Sequence, residues 1–182
     1  MKQLKIFKSI TLIIVLFLIT SCSNNSAMKP EDFKDKKPRL LIEEYLTGNV
    51  KAWGVLQNRS GKVTRQFSAD LNGSWDGKQL ILNEKFNWDD GEIQNREWTI
   101  NKIDEHNYEG TAGDVVGKAI GYSYGPAFKF EYVLLVPVKG KEMKITFDDW
   151  IFKQDDRVAI NRATMTKFGF KVAELTVVFV KD

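Results

Sequence analysis

The chain has 182 residues, of which 43% are hydrophobic and 28% charged. Such figures fit one globular domain with a core of ordinary size and exclude wholesale disorder, a collagen-like repeat and a multi-span membrane protein. The formal net charge of +3 equals the contribution of Lys2, Lys5 and Lys8, which precede an apolar run. Beyond residue 21 acidic and basic side chains balance, which removes the electrostatic case for a nucleic-acid partner.

Residues 10–19 are apolar except for Thr11. As a helix, about ten residues rise roughly 15 Å, half of what a bilayer core requires. A lysine-bearing head and a short apolar run therefore read as a signal peptide over residues 1–21. Its end, Ile19-Thr20-Ser21-Cys22, resembles the bacterial lipobox, in which the cysteine takes a thioether-linked lipid and its freed amino group an acyl chain. Cys22 is the single cysteine and has no internal disulfide partner. The expectation is a lipoprotein of the cell envelope, held at the membrane because each buried methylene, as in a palmitate chain, adds about 0.8 kcal/mol. Ser23, in place of Asp, fits the periplasmic face of the outer membrane.

Residues 22–38 comprise the lipidated cysteine and a polar stretch with two prolines, which reads as a flexible tether. The folded domain is expected over 39–182. Pro38 and Gly48 bracket a short helix over 39–46. From there on, alternating segments separated by turn residues predict strands at 50–57, 62–75, 78–88, 92–102, 107–121, 127–137, 142–152, 157–167 and 170–180. The fold class is all-β: an antiparallel up-and-down meander of about nine strands, closed into a barrel so that no edge is left unpaired.

Two turns set register. Asp76-Gly77 suits a two-residue type I′ hairpin, which would place Leu71 opposite Leu82, Ala69 opposite Glu84, Phe67 opposite Phe86 and Arg65 opposite Trp88. Asp89-Asp90-Gly91 suits a three-residue loop, which would place Glu84 opposite Arg96 and Leu82 opposite Trp98. One face of this unit then carries Phe67, Ala69, Leu71, Leu80, Leu82, Phe86, Trp88, Trp98 and Ile100 and points inward. The same face holds Arg65, Glu84 and Arg96. Inward charge is costly unless paired or wet, so Glu84 and Arg96 are expected to pair and Arg65 to stack on Trp88 near a mouth. The pair serves either to close a packed interior or to meet the polar head of a ligand.

Of the remaining acids, Asp89, Asp90, Asp155 and Asp156 fall in turns, where Asp caps the backbone. Asp148 and Asp149 fall inside a strand beside Phe147, Trp150 and Phe152, so one of them must point inward and find a partner, with Asn161 and Arg162 on the next strand as candidates. Asp114 lies among Gly110, Gly113, Gly117 and Gly121, whose spacing permits bending or close approach but is no phosphate loop. His106 stands alone as the single histidine, so neither a metal centre nor a histidine-based nucleophile is expected, and no cofactor is.

With its meander, tryptophan-rich inner face and leading helix, the chain is similar to lipocalin-like barrels, and Ala52-Trp53-Gly54 loosely echoes their Gly-x-Trp signature. The segments YLTGNVKAWGVLQNRSGKVTRQF, NEKFNWDDGE, YEGTAGDVVGKAIG, FDDWIFKQDD and NRATMTKFGFKVAE resemble a proteobacterial family of uncharacterised lipoproteins over about residues 40–180. That resemblance brings no activity and no catalytic residues, and it implies a link to membrane fatty acids. The reading is a membrane-anchored protein that binds or carries a hydrophobic or amphipathic ligand, a fatty acid or lipid. Phe67, Phe86, Trp88, Trp98 and Trp150 would form walls, and Arg65, Glu84, Arg96, Asp114 and Asp149 would meet the head group. Alternatives are an envelope enzyme acting on lipids through Asp114, Asp148 or Asp149, and a structural or assembly lipoprotein with no ligand.

Overall fold

The computed structural model describes residues 27–182 except Lys139. The expected signal peptide and Cys22 lie outside the described residues. Among those described, the strands are β1 (Gly48–Asn58), β2 (Val63–Trp75), β3 (Gln79–Trp88), β4 (Ile93–Lys102) and β5 (Asn107–Ala112), followed by β6 (Ala119–Tyr124), β7 (Ala127–Val138), β8 (Lys141–Lys153), β9 (Val158–Lys167) and β10 (Phe170–Lys181). Each pairs antiparallel with its neighbour in sequence, and β1 pairs with β10 to close the barrel. Ten strands replace the nine expected because the segment read as one strand over 107–121 breaks at Gly113. There a loop carrying Gly117 at φ +77° folds across to β7, where Val116 donates to the Val133 carbonyl at 2.8 Å and Leu135 to that of Asp114 at 2.9 Å.

The β3–β4 register is as expected, with Glu84 opposite Arg96 and Leu82 opposite Trp98. The β2–β3 register is two residues away from the expected one: Trp75 pairs with Leu80, Leu71 with Glu84 and Phe67 with Trp88. The cause is Asp76, whose carboxylate accepts the backbone N–H groups of Lys78 at 2.8 Å and Gln79 at 2.7 Å and so widens the turn. A slip of two preserves side-chain parity, so the inward face is unchanged. Phe67, Leu71, Leu80, Leu82, Trp98 and Ile100 are all buried.

One end of the barrel is plugged. The helix expected over 39–46 is confined to Ile42–Tyr45, and Leu40, Ile42, Tyr45 and Leu46 are almost wholly buried, each contributing roughly 1.5–3 kcal/mol by burial. Gly73 lets the plug seat, since a Cβ there would stand 2.0 Å from the Leu46 carbonyl oxygen. Glu43 enters with the plug and is neutralised: it accepts from the Tyr108 hydroxyl at 2.9 Å and pairs with Lys102. The stretch expected to be tether is in part docked. Pro30–Phe33 forms a 3-10 turn, and the Phe33 ring lies 5.5 Å from that of Phe152 and 6.1 Å from that of Trp150 on the outer face of β8.

Candidate ligand-binding site

The opposite end is the mouth, framed by the β1–β2, β3–β4, β5–β6, β7–β8 and β9–β10 connections. Between mouth and plug lie two adjoining chambers. The inner one, about 100 Å³, is walled by Phe67, Trp98, Phe130, Val177 and the plug residues Ile42 and Leu46. The outer one, about 210 Å³, is walled by Trp88, Leu135, Val136, Met165 and others, and both share Phe67, Phe86, Arg96, Tyr132 and Leu175. Each volume lies below the usual range of small-molecule pockets, about 300–1,000 Å³, and only together do the two chambers reach its lower end. The walls are aromatic because β4 and β7 face each other across the interior, with Trp98 5.2 Å from Phe130 and 5.3 Å from Tyr132 between ring centroids. Gly110 makes room for this stack, since a Cβ there would stand 2.5 Å from Cζ of Phe130.

A polar cluster sits part-way down. Arg96 gives Nε and Nη2 to Asp114 at 2.7–3.1 Å, while its Nη1 lies 3.8 Å from Glu84 Oε2. Thus Arg96 and Glu84 do pair across the strands, but the tighter partner is Asp114, delivered by the loop that interrupts the expected fifth strand. Asp149 points inward and Asp148 outward, where the latter lies 3.6 Å from Lys129. Asp149 accepts from the Tyr132 hydroxyl at 2.9 Å and from the Asn161 amide. Of its two expected partners, Asn161 is therefore the one engaged; Arg162 faces outward and pairs with Glu174.

Burial governs the charge states. It pushes the Glu84 carboxyl up to about 7, against the pull of Arg96, and Asp149 up to about 6, against the hydrogen bonds from Asn161 and Tyr132. The Tyr132 hydroxyl is held well above 10 by burial and by Asp149. Burial works against the Arg96 charge as well, but Glu84 and Asp114 outweigh it and keep the guanidinium protonated.

At the mouth Arg65 lies over the Trp88 ring, 4.0 Å from its centroid, and pairs with Asp90 and Glu92 at 2.8 Å. The expected stacking holds despite the slipped register because Trp88 is then a diagonal neighbour. Phe67, Phe86 and Trp98 line the chambers as expected, and Asp114 lines the outer one. Trp150 does not. It turns to the outside of the barrel, buried beneath Phe33 and stacked on Phe152. Trp53, the echo of the lipocalin signature, is also outside and half-exposed. Tyr132 and Phe130 join the chamber walls without a turn or charge signal of their own; the alternation Phe128-Phe130-Tyr132-Leu134 along β7 is the feature that marks them. Among the described residues no group of three His, Cys, Asp or Glu side chains could hold a metal ion.

Residues 16–181 match the family described as proteins of unknown function, DUF3833. The chain belongs to this family. No curated protein matches it. Among solved structures it is similar to an S-type phycobiliprotein lyase from Guillardia theta, with a TM-score of 0.59, 10% identity, and 77% of this chain and 90% of that one covered. It is also similar to a protein of unknown function of the DUF3598 family from Nostoc punctiforme, with a TM-score of 0.60, 15% identity and 81% of this chain covered. The chain spans 51% of that second protein. At such identities the likeness is one of fold.

Proposed function

We propose that this protein is a proteobacterial lipoprotein, anchored through Cys22 at the periplasmic face of the outer membrane, whose barrel binds or carries a hydrophobic or amphipathic small molecule of the acyl-lipid class. The observation that carries the binding reading is the interior itself. A packed barrel fills its centre with side chains, whereas here aromatic walls surround two chambers that meet at Arg96 and Tyr132. A few polar groups convergent on an apolar pocket are the pattern of a small-molecule site. The lipobox supports the anchor, and the similarity to lipocalin-like barrels supports an interior open to a guest.

The test uses the exported protein with Cys22→Ser, freed of lipid and titrated with acyl lipids while tryptophan emission is followed. Trp98 lines the inner chamber and Trp88 the outer, so a saturable change at one guest per barrel is expected, together with a guest retained in native mass spectra. A flat response across fatty acids, alcohols and lysophospholipids, with no retained guest, would contradict the binding reading. The anchor is tested separately, because Cys22→Ser should move the protein from the membrane to the soluble envelope fraction.

A further inference from the structure

The inner chamber has apolar walls, yet one of its polar atoms is left with nothing to bond. Glu84 Oε2 is buried and has no hydrogen-bond partner, and the Arg96 Nη1 that faces it at 3.8 Å is beyond hydrogen-bond reach. Of its charged neighbours, Asp149 is engaged by Tyr132 and Asn161 and Arg96 by Asp114 through two nitrogens, while the Trp98 indole N–H favours the ionised Glu84 carboxylate. At the mouth Arg65 is held between Asp90 and Glu92. In the inner chamber, then, the guanidinium already has a carboxylate partner and the atom still lacking one is an acceptor, whereas at the mouth the buried Arg65 Nε is a donor without a partner. A guest arriving with a carboxylate or phosphate would add an anion beside Glu84, Asp149 and Asp114. A guest arriving with an N–H or O–H would satisfy the orphaned oxygen and recover its desolvation loss.

We propose that the polar end of the guest is a hydrogen-bond donor, a hydroxyl, amide or ammonium group, received by Glu84 in the inner chamber, with the apolar body running toward the mouth past Phe86, Trp88 and Met165. This rests on the guest-binding reading above and narrows it, for a free fatty acid becomes the poorer guest. The test is calorimetric titration of the Cys22→Ser protein at pH 8 with three matched probes, decanol, decylamine and decanoate. Decanol and decylamine should bind at least about tenfold more tightly than decanoate. Glu84→Gln should remove the decylamine preference while weakening decanol only a few-fold, because the amide keeps an acceptor oxygen but loses the charge. Glu97→Gln, on the outer face of the same hairpin, should leave all three unchanged. Equal binding of all three probes, tightest binding of decanoate, or a series unaltered by Glu84→Gln overturns this inference and leaves guest binding standing. Failure of every probe to bind overturns both.

Discussion

A carboxyl group that burial holds near pH 7 makes the stability of its fold depend on pH. Glu84, pushed up to about 7 from an ordinary 4.5, keeps its proton in the folded barrel over a range where the unfolded chain has lost it. Folding therefore binds a proton in that window, and stability falls as pH rises from about 4.5 to 7, with the full penalty present above it. Asp149, pushed from 3.8 to about 6, acts in the same direction. Asp76, Asp104 and Asp155 act in the opposite sense, because backbone N–H donors hold them low and their contribution is lost only in acid. Urea denaturation should show wild type less stable at pH 8 than at pH 5. Glu84→Gln should flatten that slope and gain on the order of 1–3 kcal/mol at pH 8; a Glu84→Gln protein less stable than wild type at pH 8 would contradict the assignment. Arg96→Met should act oppositely and lose about 3–5 kcal/mol, the usual result of stripping a buried carboxylate of its cation.

Among the elements, the glycine-rich segment around Asp114 separates two roles that composition alone leaves merged. Gly110 is a space requirement, since its absent side chain makes room for Phe130, whereas a Cβ at Gly113 would meet nothing within 4 Å. Gly110→Ala should lose about 1–3 kcal/mol and Gly113→Ala much less, read from the two thermal midpoints. Alternation and turn residues made nearly every strand legible, together with the inward face of β2, β3 and β4, because those signals are local. What they missed depends on contacts between elements. The break after Ala112 is fixed by hydrogen bonds to β7, and the wider β2–β3 turn by the Asp76 carboxylate. Trp150 reads as an interior wall from sequence alone because an aromatic strand residue looks the same whether a barrel interior or a docked N-terminal turn covers it. Asp149 was resolvable only as one of a pair, and Asn161 decided which.

Across the whole molecule, closure and plugging give the barrel one open end. Pairing of β10 with both β1 and β9 removes the free edges, so truncation after residue 169 should abolish cooperative unfolding rather than merely lower its midpoint. The plug fills the other end with apolar side chains, which leaves the mouth as the route to Glu84. The most direct measurement of the central claim is a crystal structure of the Cys22→Ser protein with 10-bromodecanol bound. The account predicts the hydroxyl within hydrogen-bond distance of Glu84 and anomalous bromine signal in the outer chamber near Met165. Bromine found only on the outer surface of the barrel, with the interior unchanged, would contradict it.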